Sequence, residues 1–208
     1  MLNIVVLVSG GGTNLQALLD AEEAGEIRGG RIIHVISSSS EAYALERARR
    51  HGVCTTIVER SAFNSSDEFD TELLKELESC EADLIVLAGF LCILGERIVR
   101  KYSNRIINVH PSLIPAFCGK GFYGLKVHEA ALSYGVKLTG ATVHFVNEIP
   151  DGGAIILQKA VPIHQGDTPE TLQLRVMRQA EWELLPRAVS LFCEGKITVQ
   201  GKNTIISD

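Results

Sequence analysis

Five short runs of branched apolar residues, set between longer stretches of helical spacing, constrain the fold of this chain more than any other feature. The runs are Leu2–Val8, Ile32–Ile36, Val53–Val58, Leu84–Ala88 and Ile106–Val109. The stretches between them are Asn14–Glu26, Glu41–His51, Asp67–Glu78 and Gly95–Tyr102. A run that is apolar at nearly every position suits a strand covered on both faces, which is the condition of a parallel sheet. In the third helical stretch Phe69, Leu73, Leu74 and Leu77 form one stripe, as a helix laid on such a sheet requires. The alternation predicts an α/β fold: a doubly wound, mostly parallel twisted sheet with right-handed crossovers.

Beyond Val109 the pattern changes. Residues 111–124 read as a loop rich in glycine, proline and aromatic residues, and Leu125–Tyr134 as a short helix. Lys137–Val146 and Ala154–Ile163 read as longer strands, antiparallel in this C-terminal part, with the turn-rich Asn147–Gly153 between them. A long helix is expected over Pro169–Cys193, with Pro186 ending or kinking one section, and a minor strand or hairpin after Gly195. No repeat, low-complexity segment or linker divides the 208 residues, so a single domain over 1–208 is expected.

Composition then removes several function classes. Lys plus Arg number 20 against 25 Asp plus Glu, a net charge of −5. That balance argues against a nucleic-acid partner but leaves room for one local anion pocket. The five cysteines are odd in number and contain no Cys-x-x-Cys pair, so neither a disulfide framework nor a zinc knuckle is indicated. Reduced, mostly buried thiols are expected instead. Leu2–Val8 has no basic lead and no small-residue cleavage site, and no stretch approaches the ~20 apolar residues of a membrane span. A cytoplasmic protein without a membrane partner is the expectation.

Three segments carry chemistry. Ser9-Gly10-Gly11-Gly12-Thr13-Asn14 joins the first strand to the first helix. Consecutive glycines let backbone approach a ligand, and the helix start offers free N–H groups and a positive dipole end. A phosphate monoester fits this turn. A plain turn capped by Thr13 or Asn14 is the bland alternative. A dinucleotide fits poorly, because Leu15 stands where the fingerprint needs glycine and no acid follows the second strand. Asn108-Val109-His110-Pro111 lies at the carboxyl end of the fifth strand, where open α/β sheets place ligands. Asn108 and His110 share one side of that strand. Together they could hold an oxyanion and handle a proton, or they could be a loop cap and a satisfied core histidine. Pro150-Asp151-Gly152-Gly153 is a turn whose aspartate could reach His110 and raise its pKa. Structural roles are expected for His34, His51, His128, His144 and His164, and a solvated face for Asp67–Glu78.

Around these segments the stretches Ile4–Asn14, Leu87–Ile93, Asn108–Pro115, Gly140–Val146, Asp151–Val161 and Gly166–Thr168 resemble the phosphoribosylglycinamide formyltransferases of the folate-dependent formyltransferase family. The resemblance runs in order to about Gly195. It implies a Rossmann-like formyltransferase fold, with a phosphate-binding half over 1–110, a folate-binding half over 111–195 and a tail over 196–208. It also implies transfer of a formyl group from 10-formyltetrahydrofolate, the co-substrate, to the amine of 5′-phosphoribosylglycinamide in purine synthesis. No metal is implied. Gly12, Thr13 and Asn14 would hold the 5′-phosphate, and Glu181 would contact the glycinamide. Asn108 and His110 would stabilise the oxyanion, with Asp151 keeping His110 protonated and aiding the proton relay. Ser66, Leu91, Cys92, Ile93, Leu94 and Asn108, with Asn147, Glu148, Ile149 and Pro150, would form the folate cleft.

Two departures stand out: the family often carries arginine where Cys92 sits and a basic residue where Ser66 sits. Lys120, in the 116–124 loop, is the expected replacement for the missing charge. Partners would be small molecules, with the chain a monomer or homodimer. Among relatives, methionyl-tRNA formyltransferase would need a further nucleic-acid-binding domain. A formyltetrahydrofolate deformylase usually has a regulatory domain before the first strand. A non-catalytic nucleotide-binding domain is the alternative of a different class.

Overall fold

The computed structural model describes residues 1–207; Asp208, the end of the expected tail, lies outside the described residues. Seven strands form one sheet: β1 (Leu2–Val8), β2 (Gly30–Ser37), β3 (Cys54–Ile57), β4 (Leu84–Leu87), β5 (Ile106–His110), β6 (Leu138–Phe145) and β7 (Ile155–Pro162). Their order is β3-β2-β1-β4-β5-β6-β7. The first five are parallel, whereas β6 runs antiparallel to both β5 and β7. The fold is therefore the expected doubly wound α/β sheet with an antiparallel C-terminal part.

Seven α-helices cover the sheet: α1 (Thr13–Glu23), α2 (Ala44–Arg50), α3 (Ser66–Ser79), α4 (Glu96–Lys101), α5 (Leu125–Tyr134), α6 (Pro169–Val176) and α7 (Trp182–Cys193). On one face Ile4, Val6 and Val8 of β1 pack with α1, α2, α6 and α7. On the other, Val5 and Leu7 pack with Phe69, Leu73 and Leu77 of α3 and Ile98 and Val99 of α4. Alternate residues of one strand thus enter opposite cores, which is why the strands read as unbroken apolar runs. The predicted α3 stripe is buried at Phe69, Leu73 and Leu77 and half-buried at Leu74.

The expected long helix differs from its forecast. It does not stop at Pro186, which lies inside α7. The irregularity falls upstream, where Met177–Glu181 winds as a π-helix between α6 and α7. Pro186, the fifth residue of α7, removes only the bond to the Trp182 carbonyl, near the start of that helix, and so does not end it. The thiols differ too. All five cysteines are free, but Cys54 is exposed and the other four are only half-buried. After Gly195, β8 (Ile197–Gln200) and β9 (Asn203–Ile206) form the expected hairpin.

From β1 the chain crosses to β2 on one side, while β4 pairs with β1 on the other. This is the topological switch point, and open α/β sheets bind ligands at the carboxyl ends of the strands beside it.

Candidate active site

The carboxyl ends of β1, β4 and β5 open onto a cavity of ≈ 770 Å³. Residues of both expected halves line it, Gly10–Asn14 and Leu87–Leu94 from the first and Asn147–Asp151 from the second.

One wall is backbone. Gly12 caps α1 in the left-handed region at φ 72, and its side accepts no Cβ, which would stand 2.6 Å from the Ala44 Cβ. Helix α2 anchors the loop: Ala44 N–H donates to the Gly10 carbonyl at 3.0 Å, and Arg47 Nε to the Gly11 carbonyl at 2.8 Å. No side chain caps α1 and its first turn holds no acid, so its leading amides and dipole end are left to the cavity. The Asn14 side chain turns elsewhere: its Nδ2 donates to Glu181 Oε2 at 2.7 Å, and its buried Oδ1 has no partner. Asn14 therefore offers the cavity only its backbone N–H. Glu181 is buried at the end of the π-helix. Burial pushes its carboxyl up to about 7 against the opposing pull of Asn14.

The opposite wall is built from side chains. Antiparallel register sets Asn108 on β5 against His144 on β6, and Asn108 Nδ2 lies 3.2 Å from His144 Nε2. Asp151 sits between two imidazoles, its carboxylate 3.6 Å from His110 Nδ1 and 3.6 Å from His144 Nε2. The turn presenting it is tight. Asp151 itself has φ 55, and a Cβ on Gly153 would run into the Phe145 carbonyl. The 111–124 loop reaches across this cluster. His110 Nε2 donates to the Phe117 carbonyl at 2.8 Å, and Gly119 N–H donates to Asp151 Oδ2 at 2.8 Å.

Electrostatics here divide against one expectation. Burial lowers the His110 pKa, while Asp151 and the Phe117 carbonyl raise it, and the net direction is down. Asp151 acts as expected, but desolvation of the cation outweighs it. Burial pushes the Asp151 carboxyl up, yet the His144 and His110 contacts and the Gly119 N–H hold it below its usual range. It remains the charged member of the cluster.

The other expected residues separate. Leu91, Cys92, Ile93, Leu94, Asn147, Glu148, Ile149 and Pro150 line the cavity, and Ser66 does not. Ser66 opens α3, where its Oγ accepts from Arg60 at 3.2 Å. The Arg60 guanidinium also lies 5.7 Å from the Phe69 ring centre and acts on the Cys92 thiol. Arg60 thus places positive charge near Ser66 and Cys92, from a position outside the cavity lining. Lys120 lines the cavity on its exposed loop.

Sequence reasoning missed two cavity histidines. His144, given a structural role above although it falls in the resembling stretch Gly140–Val146, belongs to the Asp151 cluster, where β5–β6 register sets it. His128 on α5 is fully buried at the cavity with neither ring nitrogen paired. Burial and the neighbouring His110 lower its pKa to about 4, so it is neutral near pH 7.

Comparison with known proteins places this arrangement. A profile described as formyl transferase matches residues 2–189. The chain belongs to the formyl transferase family. Among formyl transferase relatives, it is 41% identical over 196 residues to the phosphoribosylglycinamide formyltransferase of Escherichia coli, covering 94% of this chain and 89% of that protein. It is 40% identical to the trifunctional purine biosynthetic protein adenosine-3 of Bos taurus, over 96% of this chain but 19% of that protein. Its fold matches glycinamide ribonucleotide transformylase 1 of Symbiobacterium toebii with a TM-score of 0.94, 44% identity, and coverage of 100% and 95% of the two chains. A formyltetrahydrofolate deformylase of Pseudomonas syringae matches at a TM-score of 0.87 with 28% identity, over 99% of this chain and 66% of that one.

Proposed function

We propose that this formyl transferase moves the formyl group of 10-formyltetrahydrofolate onto the amine of 5′-phosphoribosylglycinamide, a step of purine synthesis. One observation carries the reading. The glycine turn at the start of α1 and the Asn108–His110–Asp151 cluster, with His110 buried and its two companions half-buried, open onto one cavity that Glu181 also lines.

The cradle at Gly12–Asn14 takes the 5′-phosphate through N–H groups and the α1 dipole. Glu181, with a pKa near 7, receives the glycinamide amine and favours its neutral, nucleophilic form. The amine nitrogen attacks the formyl carbon, and the carbonyl oxygen takes up the electron pair as an oxyanion. Asn108 Nδ2 and the His110 ring N–H donate to that oxygen. His110 now gives its Nε2–H to the Phe117 carbonyl, so that carbonyl must give way for the imidazole to face the reacting oxygen. Collapse breaks the bond from carbon to the folate nitrogen. The proton lost by the amine ends on that nitrogen, carried past the carboxylate of Asp151. The folate lies along Leu91–Leu94 and Asn147–Pro150, and Arg60 supplies positive charge near Ser66 and Cys92.

The partners are these two small molecules, with no nucleic acid and no membrane. We place the reaction in the cytoplasm; no helix among the described residues is long and apolar enough to cross a membrane. The chain acts as a monomer or homodimer, divided into the phosphate-binding, folate-binding and tail segments given above.

The test mixes purified protein with 10-formyltetrahydrofolate, with and without the ribonucleotide, and follows deformylated folate optically. Release that depends on the ribonucleotide is expected. Release without any acceptor identifies a deformylase, and no release under either condition identifies a binding domain.

A further inference from the structure

Away from the cavity, three donors of different chemistry converge where α3 crosses the edge of the sheet. They are His34 on β2, Glu76 on α3, and Cys80 at the C-terminal end of that helix. One ligand atom from each lies within 4.8 Å of the other two. His34 Nε2 stands 3.8 Å from Glu76 Oε1. The Thr56 hydroxyl bridges that gap, accepting from His34 Nε2 at 2.7 Å and donating to Glu76 Oε1 at 2.8 Å.

The backbone is shaped to make this meeting. Strand β2 carries one extra residue, Ile33, where β1 steps from Ile4 to Val5. Ile32 faces the α1 side with Ile4, whereas His34 pairs with Val5 and so faces α3. Without the bulge, strict alternation would send His34 to the α1 side; re-aiming a side chain is a recurrent use of such bulges. In register, His34 pairs with Cys54 and Ile36 with Thr56, so Cys54 and Thr56 share that face. Glu76 and Cys80 are four residues apart, which stacks them along one side of α3.

We propose that His34, Glu76 and Cys80 form a binding site for a divalent transition-metal ion of the zinc type, remote from the formyl-transfer cavity. Nitrogen, oxygen and sulfur ligands sit about 2.0–2.3 Å from zinc, so neighbouring ligand atoms of a tetrahedral site are separated by ~3.3–3.7 Å. The His34–Glu76 spacing of 3.8 Å needs to contract by only a few tenths of an ångström. Imidazole and thiolate ligands favour zinc, cobalt or cadmium over magnesium or calcium, which prefer oxygen alone. A carboxylate and a thiolate also offset the two positive charges of the ion.

Binding requires Cys80 to lose its S–H proton to solvent as the sulfur–metal bond forms. The ring proton of His34 moves from Nε2 to Nδ1, freeing the Nε2 lone pair. Burial favours neutral His34 and holds the Cys80 thiol protonated, so the ion supplies the drive for thiol ionisation. The fourth position falls to water or to the Thr56 hydroxyl. The bound ion ties the end of α3 to β2 beside β3, the four-residue edge strand, and takes no part in formyl transfer.

Metal-stripped full-length protein titrated with Co²⁺ tests the proposal. A thiolate-to-cobalt charge-transfer band with tetrahedral d–d absorption is expected at one ion per chain, displaced by Zn²⁺. Cys80→Ser should abolish the band, and His34→Gln should weaken Zn²⁺ binding at least tenfold by calorimetry. Both variants should retain wild-type formyl transfer, which reports that they are folded. Absence of the band in wild-type protein overturns the proposal. So does its survival in Cys80→Ser, its loss in Cys54→Ser, or undiminished Zn²⁺ affinity in active His34→Gln.

Discussion

On one side of the cavity the groups that face a ligand belong to the backbone; on the other they are side chains. The Gly10–Asn14 wall depends on a left-handed Gly12 and on α2 holding the loop by its carbonyls. What it offers an anion is a set of N–H groups that keep their charge distribution whatever the pH. The Asn108, His110, His144 and Asp151 wall depends on strand register and on a balance between burial and charge. Such a wall can move protons, and for that reason its chemistry varies with pH and with the loop above it. The comparison teaches that one cavity can separate holding from reacting by assigning each to a different part of the polypeptide. Glu181 adds a titrating carboxyl to the backbone wall, hydrogen-bonded to Asn14.

Substitutions can break or sharpen this contrast. The largest effect is expected on the side-chain wall: His110→Ala should lower kcat by about 10²–10⁴-fold, the range for removing a general acid–base or oxyanion donor. Ribonucleotide affinity measured by calorimetry should stay within twofold, and equal losses in both would erase the distinction between the walls. Asp151→Asn should cost kcat about 10²-fold and lower the His110 pKa further, because its carboxylate raises that pKa. An NMR titration in which the His110 resonances keep their midpoint would remove Asp151 from that role.

Gly12→Ala attacks the other wall. A Cβ at φ 72 would strike Ala44, and a destabilisation of about 1–3 kcal/mol is expected in urea unfolding, together with weaker ribonucleotide binding. Unchanged binding in the folded variant would show that the phosphate does not rest on this turn.

Glu181 supplies a pH test at the junction. Its carboxyl titrates at about 7 in the folded chain, against an ordinary value of 4.5. As pH rises between these values the unfolded chain gives up this proton first, so the carboxyl's contribution to stability falls across the window and is flat above it. Glu181→Gln should remove that slope and gain on the parent by a few kcal/mol between pH 5 and pH 8, at ~1.4 kcal/mol per pH unit. It should also raise KM for the ribonucleotide. Parallel stability curves for the two proteins would contradict the burial argument. The smallest effect is expected from Arg60→Ala: a several-fold rise in KM for the folate with kcat nearly unchanged, measured in initial-rate assays.

The fold was legible in the sequence because its signals are local. Leu2–Val8 matches β1 end to end, and the antiparallel strands fall within a residue of their expected limits. Asn108 and His110 were legible for the same reason, two residues apart at the end of one strand. His144 was not, since its neighbour Asn108 lies 36 positions away and meets it only through β5–β6 pairing. Arg60 was hidden likewise: nothing in the sequence joins a short turn at residues 60–62 to the thiol of Cys92.

By itself the sequence determined the sheet, the glycine turn, the strand-end pair and the family, all written in local spacing and residue type. Tertiary structure alone decided the protonation balance of His110, the neutral state of His128, the meeting of Asn14 with Glu181 and the convergence of His34, Glu76 and Cys80. Each depends on desolvation or on contacts between residues distant along the chain, and folding sets these by packing.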